Sequence, residues 1–254
     1  MDDLTLAADL VRDAGTLADR MLRDGLSVEH KTSVSDVVSA ADRAAEALVV
    51  ERLRRERPDD AIVGEEGTAD SGAGRTWFVD PVDGTYNFLS GLPSWCAAVA
   101  RDDALGAIYQ PGTDELWLGG DGAPATRNGR PLSPLPDVSY AEVSLATYLH
   151  PTTLPDPALR EPLLRVMRGA ATVRMLGSGS IELAAVAAGR LGVYVQANCK
   201  PWDWLPGAAI VRAAGGATAV LDTSGTTSGT ASGPRWHVAG PRRVVDEVLV
   251  LLGE

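Results

Sequence analysis

The sequence predicts a mixed α/β fold, and three observations carry that prediction. Apolar residues recur at mostly three- and four-residue spacings over residues 4–22, the signature of an amphipathic helix. Short apolar runs, Ala61 to Val63 and Trp77 to Val79 among them, have the length of buried strands. Helical and strand patterns then keep alternating to the end of the chain, with no internal repeat, linker or second composition regime. A chain of 254 residues, 45% apolar and 22% charged, can bury a substantial core as one large domain or two closely packed lobes.

The first helix carries Leu4, Leu6, Leu10, Val11, Leu17, Met21 and Leu22 on its apolar face and ends near Gly25. A second starts near Asp42, repeats Ala44, Ala45, Leu48, Val49 and Leu53 on one face, and stops at Arg57 and Pro58. The strand Ala61 to Val63 runs into Gly64, Glu65 and Glu66, and a loop rich in Gly, Ala and Ser follows from Gly67 to Gly74. The strand at Trp77 to Val79 also exits into acids. Two apolar strands over 95–101 and 105–110 flank a hairpin at Asp102 and Asp103. Glu115 to Gly119 and Thr126 to Arg130 form another pair, with Asn128 and Gly129 as turn residues. A Pro-rich loop and helix occupy 151–169, and Val173 to Leu176 is a strand leading into GSGS at 177–180. Ile181 to Ala188 is a helix of small residues, Leu191 to Gln196 a strand, and Ala208 to Ala214 a helix closed by Gly215 and Gly216. The strand 217–222, a polar turn from Thr223 to Ser232, the strand 236–240 and a helix from Arg242 to Leu252 complete the chain.

Composition excludes several classes. The net charge of −11, with no basic stripe, opposes nucleic-acid binding. The longest apolar runs are too short to cross a bilayer, so no membrane partner is expected. The N-terminal residues are acidic and helically spaced, unlike a secretory or transit signal, which points to a cytoplasmic location. Cys96 and Cys199 have apolar or aromatic neighbours and no CxxC, the pattern of small buried hydrophobes. There is no Walker loop, complete dinucleotide fingerprint or nucleophile elbow, and His30, His150 and His237 lie in no triad motif.

The informative stretch is WFVDPVDGTYN at 77–87. Asp80 and Asp83 sit three apart at a strand's exit. Pro81 stiffens the bend and holds Asp80 extended, while Gly84 permits backbone that a Cβ would obstruct. Such carboxylates can share one or two hard cations, and N–H groups after Gly84 can receive an anion at a helix start. The combination suggests a metal-assisted phosphate site. Other acids are ambiguous in isolation: Asp42 suits the helix dipole, Asp203 an N-cap, and Glu65 with Glu66 a solvated loop.

Together, GEE at 64–66, DPVDGT at 80–85 and WD at 202–203 followed by GAAIVRAAGG resemble the signatures of the inositol monophosphatase family, the magnesium-dependent, lithium-sensitive sugar-phosphate phosphatases. The resemblance runs in order over nearly the full length, including Lys31 to Asp42, the Asn128-Gly129 turn and GSGS. It implies a layered αβαβα sandwich, a homodimer, and a division into a metal and phosphate lobe over roughly 1–140 and a substrate-side lobe over 141–254. It also implies two to three Mg2+ ions: one on Glu65, Asp80 and the Val82 carbonyl, a second on Asp80, Asp83 and Asp203, and a weaker third on Glu65. Thr85 paired with Asp42 matches the positions that orient and deprotonate the attacking water. Backbone N–H groups of Gly84 and Thr85 match the phosphate site, Gly177, Ser178 and Gly179 the loop meeting the substrate's hydroxyls, and Glu66 a supporting acid.

Two departures bear on the substrate, expected to be a small phosphate ester with inositol-1-phosphate the first candidate. A glutamate seven residues before the WD aspartate commonly contacts substrate in the family; here the position is Gln196, which cannot pair with an ammonium group. The residue after Thr85 is usually small; here it is Tyr86. Histidinol phosphate is the alternative, with fructose-1,6-bisphosphate and 3′-phosphoadenosine nucleotides behind it because no basic cluster awaits a second phosphate. A non-catalytic, partner-binding member of the fold would not need Asp42, Thr85 and every metal ligand together.

Overall fold

The structure, a computed structural model, describes residues 1–24, 28–30, 37–120, 122–222 and 233–253. The expected helix end at Gly25, the segment from Lys31 to Asp36, the side chain of His30 and the polar turn from Thr223 to Ser232 lie outside the described residues.

Helix α1 (Asp3–Arg23) starts where Asp2 accepts a hydrogen bond from the Thr5 N–H at 2.8 Å, and Arg20 and Arg23 complement the dipole at its end. Strands β1 (Val28–His30) and β2 (Val37–Ser39) pair antiparallel and lead into α2 (Ala40–Glu56). Then come β3 (Ala61–Gly64), β4 (Ala69–Asp70), β5 (Thr76–Asp83), the short α3 (Thr85–Leu89), β6 (Cys96–Arg101), β7 (Leu105–Gln110), β8 (Glu115–Gly120), β9 (Ala123–Arg127) and β10 (Arg130–Pro131). These eight strands form one sheet in the order β10-β9-β8-β7-β6-β5-β3-β4, antiparallel except for β3 with β5.

The second half supplies β11 (Ser144–Ala146), α4 (Pro157–Gly169), β12 (Thr172–Arg174), α5 (Gly179–Ala187), β13 (Val193–Ala197), α6 (Pro201–Ala213), β14 (Ala217–Asp222), β15 (Arg235–Gly240) and α7 (Arg242–Gly253). Its strands form a separate five-stranded sheet in the order β12-β11-β13-β15-β14.

Burial explains the stacking. Helices α1 and α2 cover the outer face of the large sheet, where Leu6, Leu10, Val11, Val49 and Leu53 pack with Trp77 and Val79. Each such fully buried side chain contributes about 1.5–3 kcal/mol of transfer free energy. Helices α5, rich in small residues, and α6 fill the layer between the sheets, and α4 and α7 close the outer face of the small sheet around Leu163, Val166, Val245 and Val248. The result is the layered αβαβα sandwich. Among the described residues no helix is long and apolar enough to cross a membrane.

The strand read over Thr126 to Arg130 begins at Ala123 and ends at Arg127, before the Asn128-Gly129 turn into β10, and two further boundaries differ from expectation. The second-from-last helix, read from Ala208, begins at Pro201 instead, and Pro206 lies inside it. A proline at a helix's first position loses no intrahelical bond, so Pro201 is a natural start and the helix continues through Pro206. The strand read over 173–176 ends at Arg174, because Leu176 is drawn out of the sheet: its N–H donates to Glu182 and its carbonyl accepts from Asn87.

Candidate active site

The site begins with a fault in a ladder. Along β5, Trp77, Val79, Asp80 and Asp83 face Arg101, Val99, Ala98 and Cys96 of β6, so three steps on β5 span two on β6 between Asp80 and Asp83. This one-residue bulge falls at Pro81 and Val82, where Pro81 has no N–H to lose. Side chains alternate along a strand, so acids three apart would normally point to opposite faces. The extra residue returns Asp83 to the face of Asp80. Val82 turns the other way and is fully buried with Ala18, Ala41, Phe88 and Trp95, the last two rings meeting edge to face at 4.8 Å.

Asp203 arrives from the opposite direction. It is the third residue of α6, inside the helix rather than at its cap, although its carboxylate accepts from the Lys200 N–H at 3.3 Å. Carboxylate oxygens of Asp80, Asp83 and Asp203 lie within 4.8 Å of one another. Glu65, in the turn after β3, completes the group. Its N–H bonds to the Val79 carbonyl at 3.1 Å, and although the residue is exposed its carboxyl meets Asp80.

Electrostatics confirm that these acids are under-compensated. Burial and then the charge of Asp203 push Glu65 up to about 8, and burial and then Asp83 push Asp203 up to about 7. Burial and then Glu65 hold Asp80 well above the usual carboxylate range. Burial raises Asp83 too, against the opposing Ser180 N–H, which donates to it at 2.6 Å from the first turn of α5. Among the described residues no Lys or Arg forms a salt bridge with any of the four. Hard oxygen donors, excess negative charge and the absence of His or Cys from the cluster fit Mg2+.

Around the acids, Gly84 adopts φ 94°, and a Cβ there would lie 3.0 Å from the Ser94 carbonyl and 3.1 Å from that of Gly177. The bend therefore touches the loop of the other half of the molecule. Thr85 opens α3, and its hydroxyl donates to the Val82 carbonyl at 3.0 Å. That carbonyl has a second lone pair for a cation. Asp42 is buried in the first turn of α2, near enough to raise Glu65.

The predicted substrate wall is more mixed. Ser178 is buried and N-caps α5, its hydroxyl accepting from the Ile181 N–H at 3.3 Å. The expected outward hydroxyl at 178 is thus turned into the protein, and Gly177 and Gly179 leave only backbone on that edge. Gln196 is half-buried near the end of β13, accepting from the Tyr194 hydroxyl at 2.7 Å. Tyr86 is 58% exposed on α3. Cys96 is buried, Cys199 half-buried, and neither forms a disulfide. His237 packs its buried ring edgewise on Trp204 at 5.0 Å.

Three contributors escaped the sequence reading: Glu46, Glu182 and Asn87. Asn87 donates to the Ser94 and Leu176 carbonyls, both at 2.7 Å, tying the bend to the facing loop. The two glutamates had a readable signal, each being an acid on the mostly apolar buried face of its helix.

The chain matches the sequence model of the inositol monophosphatase family over residues 2–250. It is 30% identical to an inositol-1-monophosphatase of Bacillus subtilis over 227 residues, 85% of this chain and 84% of that one. It is 33% identical to a fructose-1,6-bisphosphatase/inositol-1-monophosphatase of Thermotoga maritima over 233 residues, 89% of this chain and 86% of that one. The solved structure of a Thermotoga maritima IMPase superposes with a TM-score of 0.82 at 30% identity, covering 99% of this chain and 97% of its own.

Proposed function

We propose inositol-1-phosphate as the first substrate of this chain, which belongs to the inositol monophosphatase family and is a phosphoric monoester hydrolase acting on sugar or polyol phosphates. The observation that carries the reading is the convergence of Asp80, Asp83 and Asp203 from two sheets' worth of chain onto one point. Glu65, Asp80 and the Val82 carbonyl would hold one Mg2+, Asp80, Asp83 and Asp203 a second, and Glu65 a weaker third, with Glu66 in support. A Mg2+ held there would supply Lewis acidity and lower the pKa of a water beside it.

The chain's own groups do the rest. Thr85 offers its oxygen to a hydrogen of the attacking water, and Asp42 holds the proton that the water loses. Gly84 and Thr85 stand at the start of α3, where N–H groups have no intrahelical partner and can receive phosphoryl oxygens. The backbone of Gly177 to Gly179, with Gln196 beside it, faces the leaving alcohol. We assign residues 1–140 to the metal and phosphate lobe and 141–254 to the substrate side, and expect a cytoplasmic homodimer.

The neutral Gln196 supports a polyhydroxylated leaving group over one bearing an amine, which places histidinol phosphate second. Fructose-1,6-bisphosphate is retained because the Thermotoga relative's name includes that activity. Phosphate release from the three esters, with Mg2+ and with chelator, tests the proposal. Mg2+-dependent release fastest from inositol-1-phosphate is expected, and a faster rate on either rival would displace it as first substrate.

A further inference from the structure

The geometry points to Glu46 as a positioning residue that fixes the Glu65 turn and so sets the affinity for Mg2+, an inference that rests on the phosphatase reading above. Glu46 lies one helical turn after Asp42 on α2 and is 4% exposed. One carboxylate oxygen accepts from the Glu66 N–H at 2.8 Å. The other accepts from the Thr68 N–H at 3.2 Å and the Thr68 hydroxyl at 2.6 Å. All three donors belong to the turn that carries Glu65.

Gly64 shows how closely the turn is fitted to this side chain. A Cβ at position 64 would lie 2.4 Å from one Glu46 oxygen and 2.7 Å from the other, so the carboxylate occupies the space of the missing side chain. With the Glu65 N–H bound to Val79 on β5, the turn is held from both sides.

The choice of residue is informative. Burying a carboxylate costs desolvation, and a polar neutral group would hold a turn at less cost. Only a carboxylate, however, accepts on both oxygens; an amide would set its NH2 against an N–H donor. Residues four apart share a helix face, so α2 delivers Asp42 and Glu46 as one rigid ruler. Glu46 thereby holds the Glu65 ligand at a fixed place relative to Asp42, the role outer partners of metal ligands commonly play.

Calorimetric Mg2+ titration of the wild type and Glu46→Gln is the test, with amide exchange of Glu66 and Thr68 followed in metal-free protein. We expect Mg2+ binding about 10–100-fold weaker, at least roughly tenfold faster exchange at both amides, and turnover at saturating Mg2+ within about threefold of wild type. A lower melting temperature with unchanged Mg2+ affinity and unchanged exchange would mean that Glu46 only stabilises the fold, and would overturn the inference. Should Glu46→Gln fail to fold, Thr68→Val removes one of the three donors. It is expected to weaken Mg2+ binding by about threefold, and unchanged binding would overturn the inference. A wild type that binds Mg2+ yet releases phosphate from no ester refutes the phosphatase reading while leaving the binding comparison to judge Glu46. A wild type that binds no Mg2+ refutes both.

Discussion

Two loops flank the end of β5, the turn over 64–68 at Val79 and Asp80 and the loop over 176–179 at Gly84, and they are held by different chemistry. The turn over 64–68 is gripped by both oxygens of Glu46, which accept three hydrogen bonds. The loop over 176–179 leans on Glu182, one oxygen of which accepts from the Leu176 N–H at 2.5 Å while the other is buried without a partner. Burial pushes Glu182 up to about 8, against the Leu176 and Gly177 N–H groups. At neutral pH that group is mostly a neutral acid, and Asn87 beside it is a neutral amide. Bound Mg2+ would keep the cluster's acids ionised, so the loaded metal wall would be built from charge and the substrate wall from neutral dipoles. A wall of charge fixes cations; a neutral wall discriminates among uncharged hydroxyls without adding to the repulsion.

That contrast can be broken most forcefully at its charged side. Asp83→Asn is expected to lower turnover by on the order of a thousandfold in a phosphate-release assay, and near-normal turnover would remove Asp83 from the metal set. Next comes Thr85→Ala, expected to cost roughly a hundredfold in kcat with calorimetric Mg2+ uptake unchanged. A parallel loss of uptake would move Thr85 from water handling to metal support.

Gln196→Glu places charge in the neutral wall. Relative kcat/KM for histidinol phosphate over inositol-1-phosphate should rise about tenfold; no change would separate position 196 from the leaving group.

Acidity supplies a test on stability. Glu65 and Asp203 have folded values above their ordinary carboxylate range, so they bind protons more tightly when folded. Their contribution is fully present below about pH 4, and is lost as pH rises through about 7 and 8. Metal-free protein should therefore melt lower as pH rises from 5 to 8.5, by on the order of 5 °C. Saturating Mg2+ should flatten that slope, because it binds the ionised acids. A slope unaffected by Mg2+ would count against the cluster as its site. The smallest effect belongs to Glu182→Gln: an amide oxygen can replace the neutral acid's acceptor, so KM should stay within about twofold. A large rise would show that Glu182 works ionised, and the two walls would then be alike.

Much of this was legible in the residues because local pattern and chemistry agreed. The apolar face of α1, the strand exits at Glu65 and Asp80, and the glycine after Asp83 each have a local cause, and the resemblance joined them into one site. What could not be read was whatever depended on partners distant in sequence. Glu46 and Glu182 look like misplaced acids until the N–H groups they accept from are seen. Ser178 looked like a hydroxyl for substrate, but α5 claimed it as an N-cap. The helix read from Ala208 begins at Pro201. That the strands after α2 divide between two sheets is likewise a matter of pairing, on which a strand's own alternation is silent.

The bulge at Pro81 and Val82 makes the spacing of Asp80 and Asp83 a matter of parity. Replacing side chains there would tune the site by degrees, whereas losing the bulge with the three-residue spacing kept would act as an all-or-none error. The ladder with β6 would close into register and one of the two acids would be delivered to the apolar layer beneath α1 and α2. The motif's length is in that sense a reading frame for the sheet, and its three steps reach a shared face only because the bulge absorbs one of them.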